Sequence, residues 1–375
     1  MITLEKVDTQ SRAQVRRFIR LPFWLYANCP QWVPPLLMDS EMQLNRQKHP
    51  FFEHSDGDFF IAVRDGRDVG RIAALENRPY NRCHDKRQAQ FYFFDCLDDL
   101  EVASALFNRV FEWSRERGLN EVVGPKGLSP FDGYGIQIEG TERRQMMTMM
   151  NYNYPYYSHL VESQGFGKVV DFVSCYIDPK TFHLPERVRR IAEWVEKRGD
   201  LQVVRFRSKR ELVSWAGKIG ESYNKAFVKN WEYYPLSEHE VKFVVDNLMV
   251  VADYRLIKII AHEGEVVGFL FAFPDLSAAL QRAHGRLLPF GLPDLLLEMR
   301  RTKWISLNGV GILPEFQGVG GNALMYSEME KTVGGYHFHD AELTQVAESA
   351  VQMRHDLENL GSRPYKNHRV YGRKI

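Results

Sequence analysis

Cysteine is scarce in this chain, which has only four among its 375 residues: Cys29, Cys83, Cys96 and Cys175. None is spaced as C-x-x-C, and such scattered thiols indicate neither a disulfide framework nor a zinc site. The chain also lacks an apolar run of membrane-spanning length, and its first residues, MITLEKVDTQSRAQVRRF, lack the apolar core of a signal peptide. These absences predict a soluble protein of the reducing cytoplasm.

An excess of charge of one sign is absent as well. Lys and Arg number 49 against 48 for Asp and Glu. Because a surface that binds nucleic acid is normally basic, this balance argues against a nucleic-acid partner, and with no spanning segment we expect no membrane partner. The 44% hydrophobic content is enough for ordinary cores, and the length suggests two or three domains.

The most informative stretch follows Lys303. Trp304 to Ile312 is typical of a strand, Pro314 to Gly321 of a glycine-bearing turn, and Asn322 begins a helix with one apolar side, formed by Leu324, Met325, Met329 and Val333. A helix N-terminus exposes unpaired backbone N–H groups and attracts phosphate, and glycines let the preceding loop curl around an anion. The order of strand, loop and helix therefore predicts a pyrophosphate ligand.

The strand changes parity at Asn308-Gly309. Ile305 and Leu307 share one parity, whereas the apolar residues after the glycine share the other. A β-bulge there would restore one buried face and turn a main-chain N–H away from the ladder, where it could bind a thioester carbonyl and its developing oxyanion. The alternative is a strand covered on both faces, which also loses its alternation.

The loop resembles the signature Q/R-x-x-G-x-G/A of the GCN5-related N-acetyltransferases, which follows the fourth strand and holds the pyrophosphate of acetyl-coenzyme A. Gln317 and Gly320 match it, whereas Asn322 stands where the family has Gly or Ala, although Asn is also a good N-cap. The resemblance implies acetyl-coenzyme A or another acyl-coenzyme A as co-substrate, no metal, and a binding site formed by Val310, Gly311, Ile312, Gln317, Gly318, Val319, Gly320, Gly321 and Asn322.

A degenerate repeat is also visible. Residues 59–75 and 256–273 both have the pattern of a hairpin, around Asp65-Gly66 and Glu263-Gly264, and the two turn glycines are 198 residues apart. HLVESQG at 159–165 and HDLENLG at 355–361 agree at nearly the same offset. Chance matches in turns and helix ends are the alternative. We interpret the pattern as duplication.

The duplication and the resemblance together predict an α/β fold of the α+β type with two tandem domains, 1–180 and 181–375. Each would have a mixed, mostly antiparallel central sheet flanked by helices, in a plan similar to the Fem-type aminoacyl transferases. The first copy has Asp98, Asp99 and Glu101 where the second has glycines. Since carboxylates would satisfy the helix N-terminus and repel a pyrophosphate, we expect the first copy not to hold coenzyme A.

Two further segments allow two interpretations each. Met146, Met147, Met149 and Met150 would either line an apolar groove for a substrate chain or, as the favoured interpretation, pack in a core. The insertion from Asp275 to Lys303 is apolar and basic. Its cations would either pair with an anionic ligand beside the acyl site or, by default, lie on solvated helix faces; they are Arg282, Arg286, Arg300, Arg301 and Lys303.

The resemblance implies direct attack of an amine on the thioester, with a base for the amine and an acid for the thiolate. The family's usual tyrosine position is Leu357 here, so Tyr365 is the substitute acid by sequence. Glu342 is the candidate base, with His339 beside it, although a surface glutamate is the more common interpretation of such a position. Asn308 is the third catalytic candidate because of the bulge. His337 and His339 alone are too few ligands for a metal site.

The predicted function is transfer of an acyl group, in the first place acetyl, from coenzyme A to the amine of a small molecule or peptide bound near the interdomain cleft. The alternative is a catalytically silent acyl-coenzyme A-binding or regulatory protein on the same scaffold. An aminoacyl-tRNA-dependent variant is disfavoured by the charge balance. The sequence leaves the acceptor, the acyl length and the oligomeric state open.

Overall fold

The computed structural model describes residues 1–147, 150–228, 230–231 and 233–375. These residues form two compact units. The first comprises Met1–Val173, Ser277–Leu295 and Lys366–Ile375, and the second comprises Ser174–Leu276 and Leu296–Tyr365. The predicted domains, 1–180 and 181–375, divide the chain by duplication rather than by contacts, and they stay a prediction.

The elements alternate between strands and helices along the whole chain. The strands are β1 (Ile2–Lys6), β2 (Asp56–Arg64), β3 (Arg67–Glu76), β4 (Gln88–Cys96), β5 (Glu121–Gly124), β6 (Ile136–Glu139), β7 (Gly167–Ile177), β8 (Gln202–Val204), β9 (Ile257–His262), β10 (Glu265–Pro274), β11 (Trp304–Ile312), β12 (Asp340–Ala347) and β13 (Arg363–Lys374). The α-helices are α1 (Arg12–Leu25), α2 (Leu37–Gln43), α3 (Arg78–His84), α4 (Leu100–Arg115), α5 (Tyr157–Glu162), α6 (Glu186–Arg198), α7 (Lys209–Ser214), α8 (Ala216–Ala226), α9 (Glu238–Val251), α10 (Ser277–Ala283), α11 (Gly291–Arg301), α12 (Gly321–Val333) and α13 (Val351–Asn359). Among the described residues, none of these helices combines the length and apolarity needed to cross a membrane.

The first unit is a mixed sheet with strand order β1-β2-β3-β4-β5-β13. The pairing of β4 with β5 is parallel, and the other pairs are antiparallel. The predicted hairpin is confirmed as β2 and β3. Its turn residues Asp65 and Gly66 both have positive φ, 52° and 73°, as a two-residue turn that matches strand twist requires.

The second unit repeats this arrangement. Its order is β12-β11-β10-β9-β8, with the end of β7 beside β12, and here too one pair, β11 with β12, is parallel while β8 to β11 are antiparallel. The turn of its confirmed hairpin, Glu263-Gly264, again has two positive φ values, 50° and 83°. Helix α12 connects the parallel pair as α4 connects β4 to β5.

Each unit packs its crossover helix on its sheet. In the first, Leu106, Phe107 and Val110 of α4 lie in one buried cluster with Ile72 and Phe91. In the second, the predicted apolar side of α12 is buried in a cluster with strand residues; its members Leu324, Met325 and Met329 pack with Ile260 and Ile305. Burying such side chains in the sheet supplies most of the stability of helices of this length.

The methionine-rich segment belongs to the interior of the first unit where it is described. Met146 and Met150 are buried, in agreement with the core interpretation. Met149 lies outside the described residues.

Buried His368 of β13 makes the first unit sensitive to acid. Its Nε2 lies 3.0 Å from the carbonyl oxygen of Asn151, and burial lowers its pKa from 6.5 to about 4. Between pH 6.5 and pH 4, His368 is protonated in the unfolded chain but neutral in the folded chain. The folded state therefore loses stability as pH falls from about 6.5 to about 4. We expect a loss of about 3 kcal/mol in the free energy of unfolding, and His368→Gln should remove most of this slope. Denaturant unfolding at a series of pH values measures it, and an unchanged slope in the variant would contradict the assignment.

Candidate active site

The glycine loop lies on the surface of the second unit and leads directly into α12. Gln317 and Gly318 are exposed, and Gly320 is the N-cap residue with φ of 92°, a left-handed conformation that favours glycine. The helix therefore begins at Gly321, one residue before the predicted start. Asn322 is inside the helix rather than at its N-cap.

The amides of this loop are open. In the described part of the chain, none of the backbone N–H groups of residues 318–323 donates to a protein acceptor, and the next amide, that of Leu324, bonds to the carbonyl oxygen of Gly320 at 3.1 Å. Six successive donors at the positive end of a helix form a site for an anion. The donor set fits the pyrophosphate of coenzyme A.

Two glycines of the loop are also required by packing. A Cβ on Gly320 would lie 2.6 Å from Val195 and 2.9 Å from Ile191 of α6, and one on Gly321 would lie 2.9 Å from Ile260 and from Ile312. The loop backbone therefore rests directly on α6 and the sheet.

Asn322, the departure from the family signature, has a structural contact of its own. Its Nδ2 donates to Asp356 Oδ2 of α13 at 3.1 Å. The asparagine therefore ties α13 to the first turn of α12, which a Gly or Ala at this position would not do.

The β-bulge is present where the parity switch predicts it. On β10, Leu270 pairs with Val310 and Ala272 pairs with Leu307, so β11 has one extra residue between these pairs. Gly309 has φ of 95°, and the register gives neither it nor Asn308 an opposing residue on β10. The bulge is confirmed. The consecutive residues Ile305 and Ser306 are both buried, so the first part of the strand is also covered on both faces.

The side chain of Asn308 is buried without a partner. The residue is 6% exposed, and in the described part of the chain neither Oδ1 nor Nδ2 has a hydrogen-bond partner. Leaving such a group unsatisfied costs about 1–3 kcal/mol, a cost that a bound ligand would remove.

The strands β11 and β12 separate at this same point. Their pairing runs from Trp304 with Asp340 to Leu307 with Leu343 and stops there. The residues after the bulge, Val310 to Ile312, pair with β10 and have no partner on β12. A gap between the two parallel strands thus lies between the bulge and the glycine loop.

Glu342 of β12 lies one residue before the point where the two strands separate, and its placement corrects one expectation. It is 0% exposed, so the interpretation as a surface glutamate is wrong: its neighbour in register is buried Ser306, and Tyr365 donates its hydroxyl to Glu342 Oε2. The structure therefore brings two predicted catalytic residues, Glu342 and Tyr365, together. Asn308 follows two residues after Ser306 on the same strand.

Sequence reasoning missed Ser306 and Tyr176. Ser306 is buried, and its hydroxyl has no partner among the described residues. Tyr176 donates to Asp340 Oδ1 at 2.8 Å, and its ring lies 6.0 Å from those of Tyr365 and Trp304. Burial, with this hydrogen bond, raises its pKa to about 12. Ser306 has the same parity as Asn308 on β11, and this could have indicated that the two side chains lie on one face. Tyr176 is far in sequence from Asp340 and Tyr365, so no local pattern indicates that it lies near them.

Leu357 and the two histidines were considered for the family's acid and for a metal site. Leu357 is buried in the last helix, so no phenol is present at the family's usual position. Within the described ranges, no group of three His, Cys, Asp or Glu side chains is arranged to hold a metal ion.

The corresponding loop of the first unit is closed by its own carboxylates, as predicted. Asp99 is the N-cap of α4 and accepts from the amides of Glu101 and Val102, and Arg64 binds Asp99 at 2.5 Å and Glu101 at 2.8 Å. The guanidinium of Arg64 lowers the pKa of Asp99. That cap occupies the amides of Glu101 and Val102, which are therefore not available to a phosphate.

We therefore expect Asp99→Ala to destabilise the first unit by about 1 kcal/mol, the usual value of an N-cap, without changing coenzyme A affinity. Chemical denaturation and calorimetric titration of coenzyme A measure the two effects. A weaker affinity for coenzyme A in this variant would place part of the site in the first unit.

The cations of the basic insertion are divided between the two units. Arg282 belongs to the first unit and pairs with Asp294 at 2.8 Å, whereas Arg300, Arg301 and Lys303 belong to the second unit. Arg301 lies 3.4 Å from Glu298 on the same helix.

The bulge, the separated strands and the open helix N-terminus are together the features expected of the GNAT fold. A solved tandem GNAT protein from the clavulanic acid biosynthesis pathway superposes on this chain with a TM-score of 0.57 at 12% identity, over 100% of this chain and 98% of that one. The predicted fold, tandem GCN5-related N-acetyltransferase domains with mixed sheets, is confirmed.

Sequence comparison places the chain more narrowly. It is 30% identical over 383 residues to the bacterial ceramide synthase of Caulobacter vibrioides (strain NA1000 / CB15N), covering 99% of this chain and 98% of that protein, and 26% identical over 374 residues to protein YghO of Escherichia coli (strain K12), covering 97% and 94%. No sequence model of a known protein family matches the chain. The chain has the GNAT fold and belongs to the same family as that ceramide synthase.

Proposed function

We propose that this chain is an acyl-coenzyme A-dependent N-acyltransferase that joins a long acyl chain to the amino group of a long-chain amino alcohol. The observation that supports acyl transfer is the set of open amides at residues 318–323, beside the gap between β11 and β12. The acceptor class rests on the family relative, a ceramide synthase, because a ceramide is a fatty amide of a long-chain amino alcohol. This acceptor replaces the small amine or peptide expected from the sequence, and a long acyl chain replaces acetyl.

The glycine loop binds the donor. The six amides, with the positive end of α12, hold the pyrophosphate, and the gap after Leu307 and Leu343 admits the pantetheine arm alongside β11. The residues in this path include the bulge, so a main-chain N–H there stabilises the negative charge that develops on the thioester oxygen. Asn308, with its unsatisfied amide, lies at the same place and orients the reacting groups.

Tyr365 and Glu342 move the proton. Tyr365 is partly exposed, whereas Glu342 is buried behind it. Tyr365 takes a proton from the attacking amine as it passes its own proton to Glu342, the C–N bond forms, and the C–S bond breaks. The same pair then returns one proton to the leaving thiolate, which leaves the amide, free coenzyme A and the original protonation state.

The test is a matrix of acyl-coenzymes A, from acetyl to hexadecanoyl, against amines from short to long-chain amino alcohols, with thiol release and amide product both measured. We expect turnover to be greatest with the long acyl donor and the long-chain amino alcohol. Turnover restricted to acetyl-coenzyme A and short amines would overturn the substrate class. Binding of acyl-coenzyme A without thiol release on any amine would favour the silent binding protein, the alternative that Leu357 suggests.

A further inference from the structure

The loop before α11 and the first turn of that helix form an apolar surface of the first unit, here called the apolar rim, which consists of Leu288, Phe290 and Leu292. Phe290 is 81% and Leu288 77% exposed, more than any other large apolar side chain in the described residues except the terminal Met1. Leu292 is also exposed, at 39%. Exposed apolar side chains so close together mark an interaction surface.

The backbone that presents the rim is fixed. Gly285 accepts a hydrogen bond from the amide of Leu37 at 2.9 Å, and Gln281 Nε2 donates to the carbonyl oxygens of Pro30 and Trp32 at 2.8 and 2.9 Å. The pair of Arg282 with Asp294 joins α10 to α11. The exposure of Leu288 and Phe290 therefore comes from a supported loop, not from a terminus.

A cation borders the rim within the first unit. Arg286 precedes the rim in the chain, is exposed and makes no ion pair among the described residues. The carboxylate of Asp294 already pairs with Arg282, so it does not offset the charge of Arg286.

Helix α1 adds more of the same chemistry within the first unit. It exposes Arg12, Arg16, Arg20 and Trp24, spaced four residues apart on one helix. Phe23, the neighbour of Trp24, packs against Gly285 at the base of the rim, where a Cβ would lie 2.8 Å from its ring. An exposed tryptophan and a row of arginines thus belong to the helix that supports the loop.

We propose that the apolar rim docks this protein on the surface of an anionic lipid bilayer. Apolar side chains would enter the acyl region while the bordering arginines contact lipid phosphates and Trp24 lies at the headgroup level. The charge of the border favours an anionic membrane over a second copy of this chain, whose rim would bring the same cations together. The proposal does not rest on the acyl transfer, and it departs from the expectation of no membrane partner.

The test is sedimentation of the full chain with vesicles of phosphatidylglycerol and phosphatidylcholine, and with vesicles of phosphatidylcholine alone. We expect binding to the anionic vesicles that weakens with salt and falls about ten-fold or more in the double variant Leu288→Ser, Phe290→Ser. The matched control is Val250→Ser with Val351→Ser, at positions 63% and 72% exposed, which should bind as the native chain does. Arg20→Glu with Arg286→Glu should weaken binding to the anionic vesicles.

The proposal is overturned if the native chain does not sediment with anionic vesicles, or if the Leu288, Phe290 variant sediments as the native chain does. Circular dichroism shows whether each variant is folded. Because both side chains are exposed, we expect the double variant to fold. Size-exclusion chromatography tests the alternative that a second copy of this chain binds the rim. If the native chain is a dimer, the double variant is a monomer and neither binds vesicles, the rim is an interface between copies.

Discussion

Glu342→Gln is expected to lower kcat for acyl transfer by about 100-fold or more while leaving the affinity for acyl-coenzyme A within about two-fold, because a positioned general base contributes at least that much. The substitution keeps the size of a buried side chain that Tyr365 contacts, and it removes the carboxylate that receives the proton. Steady-state kinetics with saturating donor and acceptor measure the change. The matched control is Glu358→Gln on α13, an exposed carboxylate that should have no effect.

Tyr365→Phe should reduce kcat to a similar degree, and the double variant should be little worse than either single variant, since the two side chains act as one relay. Additive losses would show that the two groups act separately. A wild-type rate for Glu342→Gln would remove Glu342 from the chemistry.

Gln317→Glu is expected to weaken coenzyme A binding about ten-fold, because it places a carboxylate in a loop whose amides bind a pyrophosphate. Gln317 is exposed, and its Nε2 makes one bond of 3.2 Å to the carbonyl oxygen of Ile312, so the fold should persist. Calorimetric titration of coenzyme A measures the effect. Glu315→Gln in the same loop is the matched control, since removing its charge should leave the affinity unchanged or improve it.

The structure shows why Gln317 is a better choice than Gly320 for this test. From the sequence alone, Gly320→Glu is expected to abolish coenzyme binding with the fold intact. The positive φ of Gly320 contradicts the expectation of an intact fold, because any side chain there would strain the backbone. A Cβ at this position would also lie too close to Val195 and Ile191 and would displace α6. Loss of coenzyme A binding in Gly320→Glu could then come either from the added charge or from the distorted fold. An unchanged affinity in Gln317→Glu, by contrast, would contradict the loop site directly.

Local signals were sufficient for the elements that hold the donor. Each hairpin turn contains a glycine, which adopts positive φ readily, and the apolar residues of α12 recur with helical period. The parity change in β11 marks the bulge at Asn308-Gly309. Each of these depends on residues close together in the chain, so each can be predicted from a short window.

Long-range pairing was beyond the sequence. Residues Lys366–Ile375 belong to the first unit, where Tyr371 pairs with Gly124. These residues are more than two hundred positions apart, and no local pattern specifies their pairing. The burial of Glu342 has the same origin. Its alternation with Asp340 and Thr344 is that of a polar strand face. Tyr365 and Ser306, which come from other parts of the chain, lie against it in the fold.

The most direct test of the central claim, that the open amides at the start of α12 bind the pyrophosphate of coenzyme A, is hydrogen–deuterium exchange of the full chain with and without coenzyme A. We expect slower exchange in peptides that contain residues 318–323 and no change at the start of α4, where Asp99 caps the helix. Binding of coenzyme A without protection at 318–323, or with protection at the start of α4 instead, would contradict it.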